Sequence, residues 1–174
     1  MPRKAYFSWP RDVVINNNPK STLVNNEIAK VLRENGNLEC IRKSETVENN
    51  ISEISCLNLR NLGLDVNDVV RITNIIERKN GDNDIFIKSI SYSYNPLIGD
   101  AGATLIAKKL PSSISEIGLV DSGIEDKGGT EILNWMRKSV NLKMICIEQN
   151  NFSDKLKMEF NIFKNENPKI MVVY

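Results

Sequence analysis

The sequence has no histidine among its 174 residues, only three cysteines, and almost no excess of charge of either sign. Without histidine, the chain cannot build a Ser-His-Asp or Cys-His catalytic unit, an imidazole metal site or a histidine pH switch. Cys40, Cys56 and Cys146 lie far apart and include no CxxC pair. An odd number of cysteines without a framework spacing predicts a protein that forms no disulfides and folds in a reducing, cytoplasmic environment.

Long apolar runs are also missing. No stretch approaches the roughly 20 apolar residues of a membrane span, and residues 1–12 contain no apolar run of signal-peptide length. The balance of 23 basic against 22 acidic residues removes any global electrostatic argument for nucleic acid or an anionic membrane. The length and the 41% apolar content suit one compact domain. We therefore expect a monomer that binds neither nucleic acid nor membranes.

An internal repeat organises residues 51–174. Four segments, which start near residues 54, 87, 114 and 142, place large apolar residues at positions 1, 4, 6 and 11. The steps between these starts are 33, 27 and 28 residues, and one further step of 28 predicts a last strand near Ile170. Position 9 is asparagine in two of the four units, at Asn95 and Asn150.

Helical patterns separate these short strands. Asp100, Asp126 and Asp154 fall where a helix N-cap is expected, because a carboxylate accepts the unpaired backbone N–H groups of the first turn. Apolar residues at helical spacing follow each aspartate, among them Ala103, Ile106, Ala107 and Leu110; Ile132, Leu133 and Met136; and Leu156, Phe160 and Phe163. Strands that alternate with helices predict a parallel sheet.

The repeated unit resembles the leucine-rich repeat, L-x-x-L-x-L-x-x-N-x-L, in the ribonuclease-inhibitor-like subclass. The segment from Tyr94 to Ala103 is its clearest match. This resemblance implies an α/β fold, a short right-handed solenoid with parallel strands on the concave side and α-helices on the convex side. Leu62 and Ser122 stand where the repeat has asparagine, so we expect those turns to satisfy their backbone groups through the Ser122 hydroxyl or water.

Residues 1–50 are interpreted as a divergent, helical N-terminal cap, which a solenoid needs to cover its first unit. We predict a helix from Ser21 to Asn35, ended by Gly36, and a strand start at Leu38–Ile41. The helix buries one apolar stripe, which consists of Leu23, Ile28, Val31 and Leu32.

The basic and aromatic residues of the N-terminus allow three interpretations. Tyr6, Phe7 and Trp9 are expected to cover the first repeat. Interleaved with Arg3, Lys4 and Arg11, they also suit a grip on nucleic acid or a partner-docking arm.

Catalysis has little support in the sequence, and we predict no enzyme, no cofactor and no metal site. A cysteine nucleophile lacks a histidine base, so Cys56 and Cys146 are read as small filler residues, with reactive surface thiols as the alternative. The pair Glu125–Asp126 is explained by helix capping, and Gly99–Gly102 lacks the lysine of a phosphate loop. Asp82 and Asp84 have no later glutamate to complete a calcium loop.

The remaining candidate is a protein-binding surface. In the resembled fold, positions 3, 5, 7 and 8 of each unit project from the concave face, with small serines of the second unit leaving room in the middle. The candidate partner-binding residues on this face are Arg60, Tyr94, Glu116, Asp121, Glu148 and Gln149. We expect a partner with a basic feature to meet the acidic half. The alternative is a solvated face with no partner.

Function follows from the resemblance as non-catalytic protein–protein recognition. Small free-standing proteins similar to this one include effectors that intracellular bacteria deliver into host cells. One alternative is an actin regulator, because the segment from Ala29 to Leu38 is similar to helix-to-strand junctions of tropomodulin-type repeats. Others are a GTPase activator that uses Arg60 or a ubiquitin-ligase adaptor, although residues 1–50 contain no recognisable F-box.

Overall fold

A computed structural model describes residues 19–49, 56–80 and 87–174. In these ranges the chain is an α/β protein with six helices and five strands. The helices are α1 (Pro19–Asn35), α2 (Leu38–Asn49), α3 (Val66–Asn80), α4 (Gly99–Lys109), α5 (Asp126–Lys138) and α6 (Asp154–Glu166). The strands are β1 (Cys56–Asn58), β2 (Ser89–Ser91), β3 (Glu116–Gly118), β4 (Met144–Cys146) and β5 (Met171–Val173). The predictions made for the aromatic N-terminus, for Ile54 and for Asp82 and Asp84 concern residues outside these ranges.

The five strands form one parallel sheet whose spatial order, β1-β2-β3-β4-β5, is also the order along the chain. Cys56 pairs with Ser89, Ser89 with Glu116, and Glu116 with Met144, which confirms the first three predicted steps. Met144 pairs with Met171, so the last step is 27 residues instead of the predicted 28. Ile170 is therefore the second position of its unit, not the first.

One apolar core lies between the sheet and the helices. Position 4 of each unit faces this core. It is occupied by Leu57, Ile90, Ile117, Ile145 and Val172, and each of these side chains is buried. The predicted apolar faces of α4, α5 and α6 pack into the same core. Because side chains alternate along a strand, positions 3 and 5 must then project from the other face of the sheet.

The helices form a layer in chain order, because α1 packs against α3, α3 against α4, α4 against α5 and α5 against α6. Ion pairs cross these contacts: Glu34 with Arg71, Glu77 with Lys109 at 3.1 Å, and Arg137 with Glu159 at 3.5 Å. The pairs are solvent-exposed, so each contributes little compared with the apolar contacts beneath. None of the described helices is both long and apolar enough to span a membrane.

The N-terminal helices correct three predictions. The first helix begins at Pro19, two residues before the predicted start, and ends before Gly36, which adopts a φ of 83°. Leu23 is exposed, and Val24 takes its predicted place in the core. Leu38–Ile41 is the first turn of α2 instead of a strand, because the Asn37 side chain accepts a hydrogen bond from the Cys40 backbone N–H and caps a helix there.

Asparagine side chains tie neighbouring units together at the turns. The Asn95 Oδ1 accepts hydrogen bonds from the backbone N–H groups of Leu62 and Leu64, both at 3.0 Å, in the preceding unit. Its amide group donates to the carbonyl of Leu59 at 2.9 Å and to that of Tyr92 at 2.6 Å. Asn150 makes the equivalent bonds to the turn around Ser122. The turn at Leu62 is therefore satisfied by the asparagine of the next unit.

The second unit has one more residue in its turn than predicted. Leu97 was expected at the buried position 11, yet it is 66% exposed, whereas Ile98 is fully buried. Ser122, where asparagine is missing, directs its hydroxyl to the Val120 carbonyl within its own turn at 3.3 Å. The Ser122 hydroxyl therefore bonds locally and does not reach the preceding unit.

The aspartates predicted as N-caps lie inside their helices. The N-cap positions are occupied by Ile98, Glu125 and Ser153, and only Ser153 accepts a hydrogen bond from its own helix. The Asp100 Oδ1 instead accepts from the backbone N–H groups of Glu125 and Gly128 in the next unit, both at 2.8 Å. The Asp100 carboxylate thus caps the following helix, and all three aspartates add negative charge to the first turn of their own helix.

Candidate functional site

The face of the sheet that turns away from the helices is the candidate site, and we call it the open face. It consists of the residues at positions 3, 5, 7 and 8 of each unit. The strands end in the same way in all four units, because Asn61, Tyr94, Asp121 and Gln149 each occupy position 8 and adopt φ values between 46° and 62°. Non-glycine residues rarely adopt this left-handed conformation. Its recurrence at one register position gives every strand the same C-terminal bend.

Arg60 and Tyr94 form one element of this face. The Arg60 guanidinium carbon lies 4.9 Å from the centroid of the Tyr94 ring, although the two residues belong to neighbouring units. This distance permits a cation–π interaction. Tyr94 also contacts an apolar group further along the face, so the stack leads from the first unit towards the third.

The serines of the second unit are almost completely buried on the open face. Ser89, Ser91 and Ser93 are 5%, 0% and 1% exposed. The Ser91 hydroxyl donates to Ser93 Oγ at 3.2 Å, and Ser93 Oγ accepts the Val120 N–H at 3.1 Å. Gly118 lies beside them, and a Cβ atom there would come within 2.7 Å of Ser91 Oγ. The hydroxyls of Ser91 and Ser93 therefore link the second unit to the third beneath this face.

An apolar patch lies next to the serines. Val120, Met144 and Cys146 form a buried cluster separate from the main core, with Tyr94 and Val173 packed against it. Burial raises the pKa of the Cys146 thiol to about 11, with a further contribution from the Glu148 carboxylate. The charges of Arg60 and Glu116 also act on this thiol. Three charged groups from three different units therefore surround the apolar patch.

The six predicted partner-binding residues all retain some solvent exposure. The structure brings Arg60 to Tyr94, and Glu116 and Glu148 to opposite sides of Cys146 along the face. Asp121 and Gln149 lie together at the C-terminal edge, where the Asp121 N–H donates to the Glu148 carbonyl at 3.0 Å. Val120, Met144 and Cys146 occupy positions 7, 3 and 5 of their units, so their place on this face was predictable, but their clustering with Val173 was not.

Two thiols of the described residues have raised pKa values, Cys40 in α2 and Cys146 on the open face. Cys40 is buried, donates to the Leu62 carbonyl at 3.2 Å, and has its pKa raised to about 11 by burial. Both thiols with raised pKa values are poor nucleophiles near neutral pH. Across residues 19–49, 56–80 and 87–174, no group of three or more cysteine, aspartate or glutamate residues is arranged to hold a metal ion.

Comparison of the chain with models of known protein families and with curated proteins found no match.

Proposed function

We propose that this chain is a leucine-rich-repeat protein of the ribonuclease-inhibitor-like subclass, which binds a protein partner through its open face and carries out no chemistry of its own. The recurring left-handed residue at position 8 supports the repeat assignment. So do the asparagine side chains that bridge consecutive units at Asn95 and Asn150.

The observation that carries the binding function is the composition of the open face. The Arg60–Tyr94 stack lies beside the apolar patch of Val120, Met144 and Cys146. Arginine and tyrosine are enriched among residues that dominate binding energy, and they are most effective next to apolar groups that exclude water. A purely solvated sheet face needs neither an aromatic stack nor an apolar cluster.

Differential affinity capture tests this proposal. The bait is the wild-type chain, a face variant with Glu116, Asp121 and Glu148 replaced by lysine, or a control variant with Glu45, Glu125 and Glu166 replaced by lysine. Both variants change the net charge equally, but the control residues lie on exposed helical or turn surface. We expect wild type and control to capture the same proteins from a eukaryotic lysate and the face variant to lose them. Equal capture by all three baits contradicts binding through this face.

The alternative functions gain no support from the fold. The similarity to tropomodulin-type repeats depended on a helix-to-strand junction before Leu38, and α2 begins at that residue. Arg60 is stacked on Tyr94, whereas an arginine that stimulates a GTPase must reach into another protein. Delivery into a host cell by an intracellular bacterium stays a prediction from the family resemblance.

A further inference from the structure

Arg60 differs from every other arginine of the described residues because no carboxylate of the chain pairs with it. The others each form an ion pair with a glutamate side chain, and they are Arg33, Arg42, Arg71, Arg78 and Arg137. The Arg60 side chain contacts the Tyr94 ring and makes no hydrogen bond or ion pair within the same ranges. A guanidinium group with five N–H donors is therefore left without an acceptor from the chain.

The missing ion pair does not follow from a shortage of acidic residues on the open face. Arg60 is the only cationic residue at positions 3, 5, 7 and 8 of the described units, which also contain Glu116, Asp121 and Glu148. The charges of Arg60 and Glu148 both act on the Cys146 thiol, yet no ion pair joins the two side chains. The guanidinium group lies against the tyrosine ring instead.

The guanidinium group of Arg60 is accessible to solvent. Two buried polar atoms without a partner occur among the described side chains, and they belong to Ser89 and Glu148. The guanidinium nitrogens also lack a partner, so their absence from this pair means that they are not buried. Arg60 and Tyr94 both retain partial exposure. The stack therefore offers unpaired donors at the surface, whereas the neighbouring apolar patch is almost completely covered.

Tyr94 holds the guanidinium group in place. The Tyr94 backbone N–H donates to the Val120 carbonyl at 2.7 Å, and its φ of 62° belongs to the bend that ends each strand. Its side chain packs against the apolar patch. Because the ring is fixed at both ends, it limits the positions that the Arg60 side chain can adopt. An arginine that is already restricted loses less conformational entropy when it binds.

We propose that Arg60, held by Tyr94, receives the carboxylate of an aspartate or glutamate side chain of a protein partner. A guanidinium group donates two parallel N–H bonds to a carboxylate, and it can do so while its face contacts an aromatic ring. A carboxylate is favoured over a phosphate because Glu116 and Glu148 add negative charge to the same region, and their repulsion grows with the charge of the anion. The inference rests on the proposed function, since it names what the partner brings to the open face.

An NMR titration of the arginine Nε–H signals tests this site with a defined probe, the α-amide of N-acetylglutamic acid, at constant ionic strength. We expect the Arg60 signal to shift saturably, while the signals of the ion-paired Arg71 and Arg137 move little. The α-amide of N-acetylglutamine has the same shape without the charge. This neutral probe should bind wild type roughly 10-fold more weakly, and the acidic probe should bind Arg60→Gln roughly 10-fold more weakly when followed at the Tyr94 backbone amide, because a hydrogen bond to a charged group is lost in both cases.

Two substitutions of Tyr94 test its positioning role. Tyr94→Phe keeps the aromatic ring and should bind the acidic probe as wild type does. Tyr94→Leu keeps an apolar side chain without the ring and should bind roughly 3-fold more weakly, which is the size of an exposed cation–π contribution. Equal binding by Tyr94→Leu and Tyr94→Phe would show that the ring does not hold Arg60 for the carboxylate.

Affinity capture separates this inference from the proposed function. Arg60→Gln is expected to lose proteins that wild type and the charge-matched control Arg137→Gln retain. If the face variant loses these proteins and Arg60→Gln keeps them, the open face binds a partner but Arg60 does not receive its carboxylate. If capture does not depend on the face at all, the proposed function itself fails. An Arg60 signal that does not respond to the acidic probe, or that responds more strongly to inorganic phosphate, also overturns the inference.

Discussion

The side chain of Asn95 is expected to contribute more to stability than any comparable polar side chain at the turns. It is fully buried and bonds to backbone groups on both sides of the boundary between the first two units. Alanine at this position leaves the N–H groups of Leu62 and Leu64 without a partner. It also removes the donors to the Leu59 and Tyr92 carbonyls.

The size of the stability loss in Asn95→Ala follows from the backbone groups that are left unpaired. A buried donor without an acceptor costs about 1–3 kcal/mol, so two of them make a loss of about 4 kcal/mol a reasonable expectation for Asn95→Ala. That is a large part of the roughly 5–15 kcal/mol by which a domain is stable. Asn150 makes the equivalent bonds but is only partly buried, and water can replace some of them. For Asn150→Ala we expect about half the loss.

Urea unfolding followed by circular dichroism measures both changes. Asn161→Ala, on the exposed surface of α6, is the matched control and should alter the free energy of unfolding by less than about 0.5 kcal/mol. Asn95→Asp keeps the acceptor for Leu62 and Leu64 but loses the donors, so it should also destabilise the protein. If Asn95→Ala costs no more than Asn161→Ala, the bridging bonds do not hold the units together and the reasoning is refuted.

Three further predictions concern other contacts. Ser153→Ala removes the cap of α6 and should cost about 1 kcal/mol. The Ser153 hydroxyl and N–H hold the pKa of Asp126 below its usual 3.8. The stability that comes from the ionised Asp126 carboxylate is therefore fully present above pH 3.8, and it is lost as the pH falls through the lowered pKa of the folded protein. NMR titration should therefore find this pKa raised in Ser153→Ala, and an unchanged pKa contradicts the assignment. The Thr73 and Tyr92 hydroxyls lie 3.3 Å apart in the core, so Tyr92→Phe alone should lower the free energy of unfolding by about 1 kcal/mol. In a double-mutant cycle, adding Thr73→Val should recover most of that loss. Additive losses of stability argue against the hydrogen bond. Because burial raises the pKa of Cys146 to about 11, iodoacetamide at pH 8 should alkylate it far more slowly in the folded than in the unfolded protein, and equal rates would show an accessible thiolate.

The strand positions could be predicted because their cause is local. A residue at position 4 must be apolar in every unit if every strand faces one core, and this spacing is visible in the sequence at Leu57, Ile90, Ile117 and Ile145. The helices α4, α5 and α6 follow from apolar residues at helical spacing in the same way. Where two local patterns compete, prediction failed. Leu38–Ile41 has the spacing of a strand start, but Asn37 caps a helix at that point.

Interactions between units were beyond the reach of local patterns. Asp100 has the composition of an N-cap, yet its carboxylate bonds to the helix that begins 26 residues later, at Asp126. Gly128 makes this possible, since a Cβ atom there would come within 2.7 Å of Asp100 Oδ1. The choice between capping its own helix and capping the next depends on the distance between the two helices. Only the packed structure sets that distance.

In the candidate site, too, some features were predictable from the sequence and others depend on the tertiary structure. Alternation along a strand is a property of the backbone, so the sequence by itself determined which residues share the open face, including Glu116 and Glu148. The tertiary structure decided which of them meet and which are covered. It buried the three serines, joined the hydroxyls of Ser91 and Ser93, and stacked Arg60 on Tyr94. Burial and pairing depend on side chains from several units at once, and those distances exist only after the units have packed.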